Sequence, residues 1–436
     1  MRTIRRPYPS KAGFADLYLH RYGSGTVAGL PEPDPDLFLI VTIPAFKEPD
    51  LGKSLHALLA CDPPGVKWEI IVNVNYPVTA DPESVRISLS SLEVAEQISR
   101  NSNRPDVRIL SILSDELPAR HAGVGLARKI AMDQAIARFN RIGRPDGVIA
   151  GFDADSCCEA GYLKSIAGLY LHNKGVRTAN VFFGHPIAEL SDPHLRRSIA
   201  EYELYLRYMR LALRETGHPH DIHTVGSSFT VRAKTYVRVN GMGRDKAGED
   251  FYFLHKCIQL GGFWEINETA VLPSARESDR VAFGTGATMQ RQMKSDGELV
   301  VYNLDSFYPL KHFFSSVLIY RGIIAASGDL ELAWADLPVC FRSFLKQADA
   351  SASLVRIFRD SASPESFTKK FFSWFNVLMV LRCLNEMHRE FYNKEPVGRE
   401  ASRLAMKIGI DETGSVIEML TRYRNYERQR GNFRIS

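Results

Sequence analysis

Val148-Ile-Ala-Gly-Phe-Asp-Ala-Asp-Ser156 is the stretch on which the reading of this chain turns. Gly147 to Phe152 is apolar and bounded by turn residues, the pattern of a short buried strand. Side chains alternate along a strand, so Asp153 and Asp155 at its exit share one face. Two carboxylates that close are costly unless a cation or hydrogen-bond donors offset them. Their oxygens suit a hard divalent ion, Mg²⁺ or Mn²⁺, which in turn holds phosphates. The same residues also read as a strand followed by an acidic turn, since Asp is a strong helix N-cap. Their neighbours along the chain decide.

Upstream, Leu37-Phe-Leu-Ile-Val-Thr-Ile43 predicts a buried first strand. It runs into Pro44-Ala-Phe-Lys-Glu-Pro49 and a helix from Leu51 to Ala60. Trp68-Glu-Ile-Ile-Val-Asn-Val-Asn75 predicts a second strand, and Gly123-Val-Gly-Leu-Ala-Arg-Lys129 leads into a helix. Further on, Gly248-Glu-Asp-Phe-Tyr-Phe-Leu-His255 sets two carboxylates side by side. Strand-like runs alternate with amphipathic ones such as Glu93–Ser99 and Leu126–Phe139, the signature of a parallel sheet covered by helices. In this order the motifs resemble those of the GT-A fold nucleotide-diphospho-sugar glycosyltransferases, family 2 in particular. The resemblance covers Leu37 to Gly286. It implies an α/β, Rossmann-like fold: a mixed, mostly parallel sheet flanked by helices, with a mainly helical C-terminal extension.

The resemblance also implies roles for residues. Pro44, Ala45 and Glu48 at the first strand's exit, and Asn75 at the second's, match the nucleotide pocket. The family usually has Asp where Asn73 and Asn75 stand. An Asn amide still offers donor and acceptor to a uracil edge, so a UDP-sugar is favoured, although Asn could equally suit another base and either Asn equally reads as a strand terminator. Arg128 and Lys129, close to Arg120 and His121, occupy the place of a segment that lies against the nucleotide. A turn at a helix start presents N–H groups to phosphate, and a cation adds charge complementarity; a solvated helix start is the alternative. Asp153 and Asp155 match the metal-holding Asp-x-Asp. Many relatives place a metal-binding His after the Glu-Asp helix, but no His lies between His255 and His312. Asp279 is the nearest oxygen substitute, or water completes the shell. Arg276 and Arg280 precede Gly284-Thr-Gly286 like a loop that closes over a diphosphate. Asp250 aligns with the family's catalytic base, with Glu249 orienting the site or touching the acceptor. Both also suit the dipole of a helix N-terminus.

Composition agrees with a globular enzyme: 436 residues, 45% hydrophobic and 24% charged, leave room for more than one domain. The net charge of +5 permits an anionic ligand and does not argue for nucleic acid. Punctuation suggests a Pro- and Gly-rich arm over residues 1–36, a glycosyltransferase domain over 37–300 and a helical region over 301–436. Helices are expected near Gly161–His172, Arg196–Arg214, Phe251–Leu260, Phe367–Phe391, Arg399–Ile408 and Ser415–Gln429. Strands are expected at Ala179–Gly184 and Ser227–Arg232. The six cysteines form no CxxC, so neither a zinc site nor a disulfide scaffold is suggested, and a reducing cytosol is the simplest setting. Cys157-Cys158 reads as packing behind the Asp-x-Asp loop.

Arg2, Arg5 and Arg6 are followed by Pro7, Pro9 and Lys11 rather than an apolar core, unlike a signal peptide. The best apolar run, Phe313 to Ala326, is interrupted by Arg321 and falls short of the ~20 residues needed to span a bilayer. The expected location is therefore cytoplasmic. Arg422-Tyr-Arg-Asn-Tyr-Glu-Arg-Gln-Arg430 suits either the inner face of a membrane or a solvated terminal helix. A homodimer contact through the helical region is a further option. His218, His220 and His223 are expected to line an acceptor cleft rather than bind zinc, with Ser227 and Ser228 within reach of sugar hydroxyls. These readings combine as a metal-dependent, inverting transfer of sugar to a saccharide, glycolipid or small-molecule acceptor. The rivals are a sugar-phosphate nucleotidyltransferase and a non-catalytic nucleotide-sugar-binding protein of the same fold.

Overall fold

The computed structural model describes residues 13–25, 27, 29–246, 248–275, 298–411 and 414–436. Arg276, Asp279 and Arg280 lie outside the described residues. Two compact units are interleaved along the chain. The first holds the described residues up to 186, 224–275 and 428–436; the second holds 187–223 and 298–427.

The first unit is a mixed sheet flanked by helices. Its centre is β1 (Leu37–Ala45), which pairs in parallel with β2 (Lys67–Pro77) on one side and β4 (Val148–Gly151) on the other. The parallel partner β3 (Val107–Leu117) lies beyond β2. Every residue of β1 except Pro44 is buried, as expected of a strand covered on both faces, which therefore reads as a nearly unbroken apolar run. Past β4 the order continues through β7 (Phe229–Arg232), β6 (Thr178–Phe183), β8 (Phe263–Leu272) and β11 (Phe433–Arg434). The two-residue β5 (Cys157–Cys158) pairs with β8. The long pairings are parallel, and the antiparallel ones are short. The chain leaves β1, β2 and β4 along the same edge, so Ala45, Asn75 and Asp153 emerge together. In open α/β sheets ligands bind at this carboxyl edge.

Helix α4 (Val124–Arg141) lies against β1 and β2 and is buried along most of its length. Arg138 locks it to the sheet with two hydrogen bonds to buried Glu69 of β2. The residues before β1 strap its other side. They include α1 (Asp16–Tyr22), where a Pro- and Gly-rich arm was expected. Gln134 accepts from Val27 N at 3.1 Å and donates to Gly25 O at 2.7 Å, and Arg138 donates to Pro31 O at 2.9 Å. Fully buried Asp133 accepts from Tyr18 Oη at 2.7 Å, Tyr236 Oη at 2.9 Å, Ser24 N at 2.8 Å and Lys129 Nζ at 2.9 Å. Asp133→Asn leaves the Lys129 ammonium buried without its counter-charge. It is expected to cost about 3 kcal/mol in urea unfolding; a loss below ~1 kcal/mol would show that the strap is not held by this charge.

The second unit is helical. It contains α6 (Pro193–Glu215), whose N-cap Asp192 accepts from His194 N at 2.9 Å. It also contains Tyr308–Ser315, Val317–Ala326, Val339–Gln347, Ala350–Arg359 and the helices that follow. Phe313 is the hub of its aromatic core, packed against Trp334, Phe341, Phe371 and Phe375. The single helix expected over Phe367–Phe391 is two, Pro364–Trp374 and Val377–Glu390. Asn376 interrupts it, because its side chain accepts from Met379 N at 3.2 Å and restarts the helix as an N-cap.

The basic run near the C-terminus is mostly spent on internal pairs. Arg422 meets Asp411 at 2.9 Å, Arg424 meets Glu203 at 2.6 Å, and Arg428 holds Glu159 with bonds of 2.8 and 2.7 Å. Tyr423 is buried. Its composition thus reflects packing within each unit. No helix among the described residues is long and apolar enough to cross a membrane.

Candidate active site

Asp153 follows β4 directly. The strand's hydrogen bonding continues into Phe152, whose N–H donates to Thr42 O at 3.1 Å, and a turn closes with Ser156 N donating to Asp153 O at 3.1 Å. Asp153 and Asp155 are both half-buried on this turn. Arg128, in the second turn of α4, is only 3% exposed. Its Nη2 donates to Asp153 Oδ1 at 2.7 Å, and its Nε lies 3.6 Å from Glu249 Oε1. Its Nε and Nη1 make no hydrogen bond among the described residues. The backbone at Gly226 lies against the guanidinium: a Cβ there would sit 2.2 Å from Nη1.

Glu249 and Asp250 begin α8 (Glu249–Ile258), which starts after Gly248 in the left-handed region at φ 77°. Glu249 is 3% exposed; Asp250 is half-buried and accepts from Phe251 N at 2.7 Å. Burial, and then the charge of Glu249, push the Asp250 carboxyl up to about 7, with Arg128 opposing. Burial likewise raises Glu249, against the pull of Arg128. One guanidinium therefore stands among three carboxylates that come from two distant parts of the sequence. The segment ahead of α8 is fitted closely to the start of α4. A Cβ on Gly125 would lie 2.1 Å from Asp245 O, so this glycine allows two backbones to approach.

At the exit of β1, Glu48 is buried and its Oε1 accepts from Asp50 N at 2.9 Å. Its neighbour Lys47 adopts φ 48°, a strained conformation for a residue with a side chain, at the carboxyl edge where strain often marks a working loop. Asn75 Nδ2 donates to Ala45 O at 3.1 Å and Asn73 O at 3.2 Å, so its donor ties the exit of β2 to that of β1. Asn73 is fully buried, joining Ala127 O and Ser114 Oγ, which makes it a strand-to-helix tie rather than a base contact.

The structure thus brings Arg128, Asp153, Glu249 and Asp250 together, with Asp155 on the same turn and Pro44, Ala45, Glu48 and Asn75 along the same edge. Lys129 does not join them. The next residue of a helix is rotated by about 100°, and its ammonium pairs with Asp133 and Tyr18 under the N-terminal strap. The histidines also fall elsewhere. His218 Nε2 is 3.0 Å from Phe375 O and its ring packs on Phe314 and Phe372. His223 meets Glu427 at 3.3 Å. Both serve the core of the helical unit, where burial holds His220 and His223 neutral, each lowered to about 4. Ser227 and Ser228 are buried too, too deep for sugar hydroxyls. Sequence reading missed Gly226; its only signal is a glycine just before a buried strand.

No group of three or more His, Cys, Asp or Glu side chains among the described residues is arranged as a metal cage. The donor set still fits a hard divalent ion of the Mg²⁺ type, which commonly takes one or two carboxylates and completes its shell with phosphate and water. The side chain of Asp153 is 35% exposed and spends Oδ1 on Arg128, and Asp155 sits two residues on. A cavity of about 520 Å³ lined by Asp36, Lys67, Pro105 and Arg144 lies at the opposite, amino edge of the sheet, away from these carboxylates.

The sequence matches no protein-family model and no curated protein. Solved structures similar to it include residues 1–349 of TarS from S. aureus in complex with UDP-GlcNAc, at 12% identity over 81% of this chain and 92% of that one, with a TM-score of 0.40. TarS 1–349 alone gives 12% identity, 81% and 91% coverage and a TM-score of 0.39. The mannosyltransferase PcManGT from Pyrobaculum calidifontis, in complex with GDP-Man and Mn²⁺, gives 15% identity, 83% and 90% coverage and a TM-score of 0.34. These likenesses are partial, and the functional reading rests on the geometry above.

Proposed function

We propose that the chain is a glycosyltransferase that moves a sugar from a nucleotide-diphosphate sugar to an acceptor hydroxyl with inversion at the anomeric carbon. The observation that carries this reading is the convergence of Asp153, Glu249 and Asp250 on buried Arg128 at the carboxyl edge of the sheet. Asp250 takes the acceptor's proton as its oxygen bonds to the anomeric carbon and the bond to the diphosphate breaks. A base near pH 7 suits this work, and the Asp250 carboxyl is raised to about 7. Glu249 orients the site. Arg128 holds Asp153 in place and balances the local negative charge. A divalent ion held by Asp155, with Asp153 beside it, would neutralise the leaving diphosphate. The exits of β1 and β2, with Glu48 and Asn75, form the wall for the base. The acceptor class stays a saccharide, glycolipid or small molecule.

The base must be ionised, so activity should rise with pH along an acid limb near pH 7. Donor binding is tested without knowing the acceptor, because a ligand that binds the native state raises its melting temperature by mass action. UDP-GlcNAc and GDP-Man, each with and without Mn²⁺, are the first compounds to try. Asp155→Ala is expected to remove the Mn²⁺-dependent part of that stabilisation. Unchanged affinity and metal response in calorimetry would take Asp155 out of the site.

A further inference from the structure

All six cysteines are thiols, and two of them face each other across 97 residues of sequence. Cys61 Sγ lies 3.5 Å from Cys158 Sγ. Cys61 stands just past α2 (Leu51–Leu59), and Cys158 is in β5, three residues after Asp155. Asp62 N donates to Ala160 O at 2.9 Å, which fixes the two backbones side by side around the pair. A disulfide needs its sulfurs about 2.05 Å apart, so closure asks for a shift of roughly 1.5 Å by side chains already in contact. Cys61 is buried and Cys158 half-buried, which leaves one approach from solvent.

We infer that Cys61 and Cys158 are a redox-responsive dithiol: a hydroperoxide closes them into a disulfide that staples the Asp153–Asp155 turn to the end of α2. The step balances. One thiolate attacks hydrogen peroxide and becomes a sulfenic acid as the O–O bond breaks and hydroxide leaves, which takes up the proton the thiol had released to become water. The second thiol displaces a further water, so two thiols lose two protons and two electrons while the peroxide is reduced. Two features favour Cys61 as the attacking group. The hydrogen bond with Cys158, the largest influence, lowers its thiol below the ordinary value. Arg104, whose Nη1 donates to Leu59 O at 2.7 Å and Cys61 O at 3.1 Å, adds positive charge beside it. Neighbouring Cys157 precedes Cys158 in the same strand, where successive side chains take opposite faces, so its thiol is turned away from Cys61. The inference does not depend on the sugar-transfer reading, since its readout is the bond itself.

The test treats the intact chain with hydrogen peroxide, blocks remaining thiols with iodoacetamide and maps peptides without reduction. The expected product is a Cys61–Cys158 cross-linked peptide that dithiothreitol reverses. The oxidised chain should also melt several degrees higher than the reduced one, because the cross-link closes a long loop in the unfolded state. The Cys61→Ser chain should lose that gain while keeping the melting temperature of the reduced parent. Full alkylation of both thiols after peroxide, a bond within Cys157–Cys158 instead, or oxidation of Cys61 to sulfinic acid with no cross-link would each overturn the inference.

Discussion

Asp250→Asn is expected to lower turnover by a factor on the order of 10²–10⁴, the usual contribution of a general base, while nucleotide-sugar binding stays near that of the parent. The amide keeps the carboxylate's shape and can still accept from Phe251 N, but it cannot take a proton at neutral pH. The contacts assigned to the donor lie on Asp155, Asp153 and the strand exits, which the substitution leaves alone. Product stereochemistry by NMR, run with the kinetics, decides the case. A retained anomer with near-normal turnover would sink the proposed mechanism without touching the fold.

The same variant carries a stability signature. The Asp250 carboxyl is raised in the folded chain, from an ordinary 3.8 to about 7. A raised group contributes stability that is present below its unfolded value and lost as pH climbs through the folded one. The parent therefore gives up a few kcal/mol between about pH 4 and pH 7 on this account. Asp250→Asn does not titrate, so it should be stabilised relative to the parent at pH 8 by more than at pH 4. Parallel urea titrations at both pH values would expose the difference, and an identical offset at both would remove burial as the cause.

Arg128→Met should be the most damaging single change to the site. It strips the cation from beside Asp153, Glu249 and Asp250, and Glu249 is almost wholly buried. Breaking a buried pair from one side typically costs about 3–5 kcal/mol. Without the guanidinium, Glu249 rises further above its unfolded value, so the deficit should be larger at pH 8 than at pH 5, where protonation relieves it. Donor-induced stabilisation should vanish even where the chain remains folded. A variant as stable as the parent at both pH values would show that the guanidinium does not balance these carboxylates.

What could be read from the sequence follows the range of the physics. β1, β2 and β4 are legible because a strand covered on both faces must be almost continuously apolar, as Val148–Phe152 is and Leu37–Ile43 is but for Thr42. The Glu249-Asp250 and Asp153 carboxylates are legible because strand exits and helix starts concentrate polar groups. Arg128 and Lys129 were not separable by eye: adjacent on a helix, they point different ways, and only the tertiary partners Asp153 and Asp133 tell them apart. The polar residues at 218–228 fail for a similar reason. Histidines and serines look like a ligand-facing run until the Phe314 and Phe372 rings close over His218. The break at Asn376 is hidden in a long apolar periodicity and shows only in its side-chain bond to Met379 N. The discontinuous units leave no mark in composition at all.

That discontinuity bears on how the molecule is made. β11 pairs with β8 through Phe433–Glu265 and Arg434–Trp264, and Gly262 N donates to Ser436 O. Emerging from the ribosome, β8 is followed by well over a hundred residues, including most of the helical unit, before its neighbour appears. Through that interval the nascent sheet presents unpaired backbone at the start of β8, around Trp264 and Glu265, the kind of edge that recruits foreign strands. Translation speed past β8, and chaperones that shield open edges, should therefore bear on the yield of this protein.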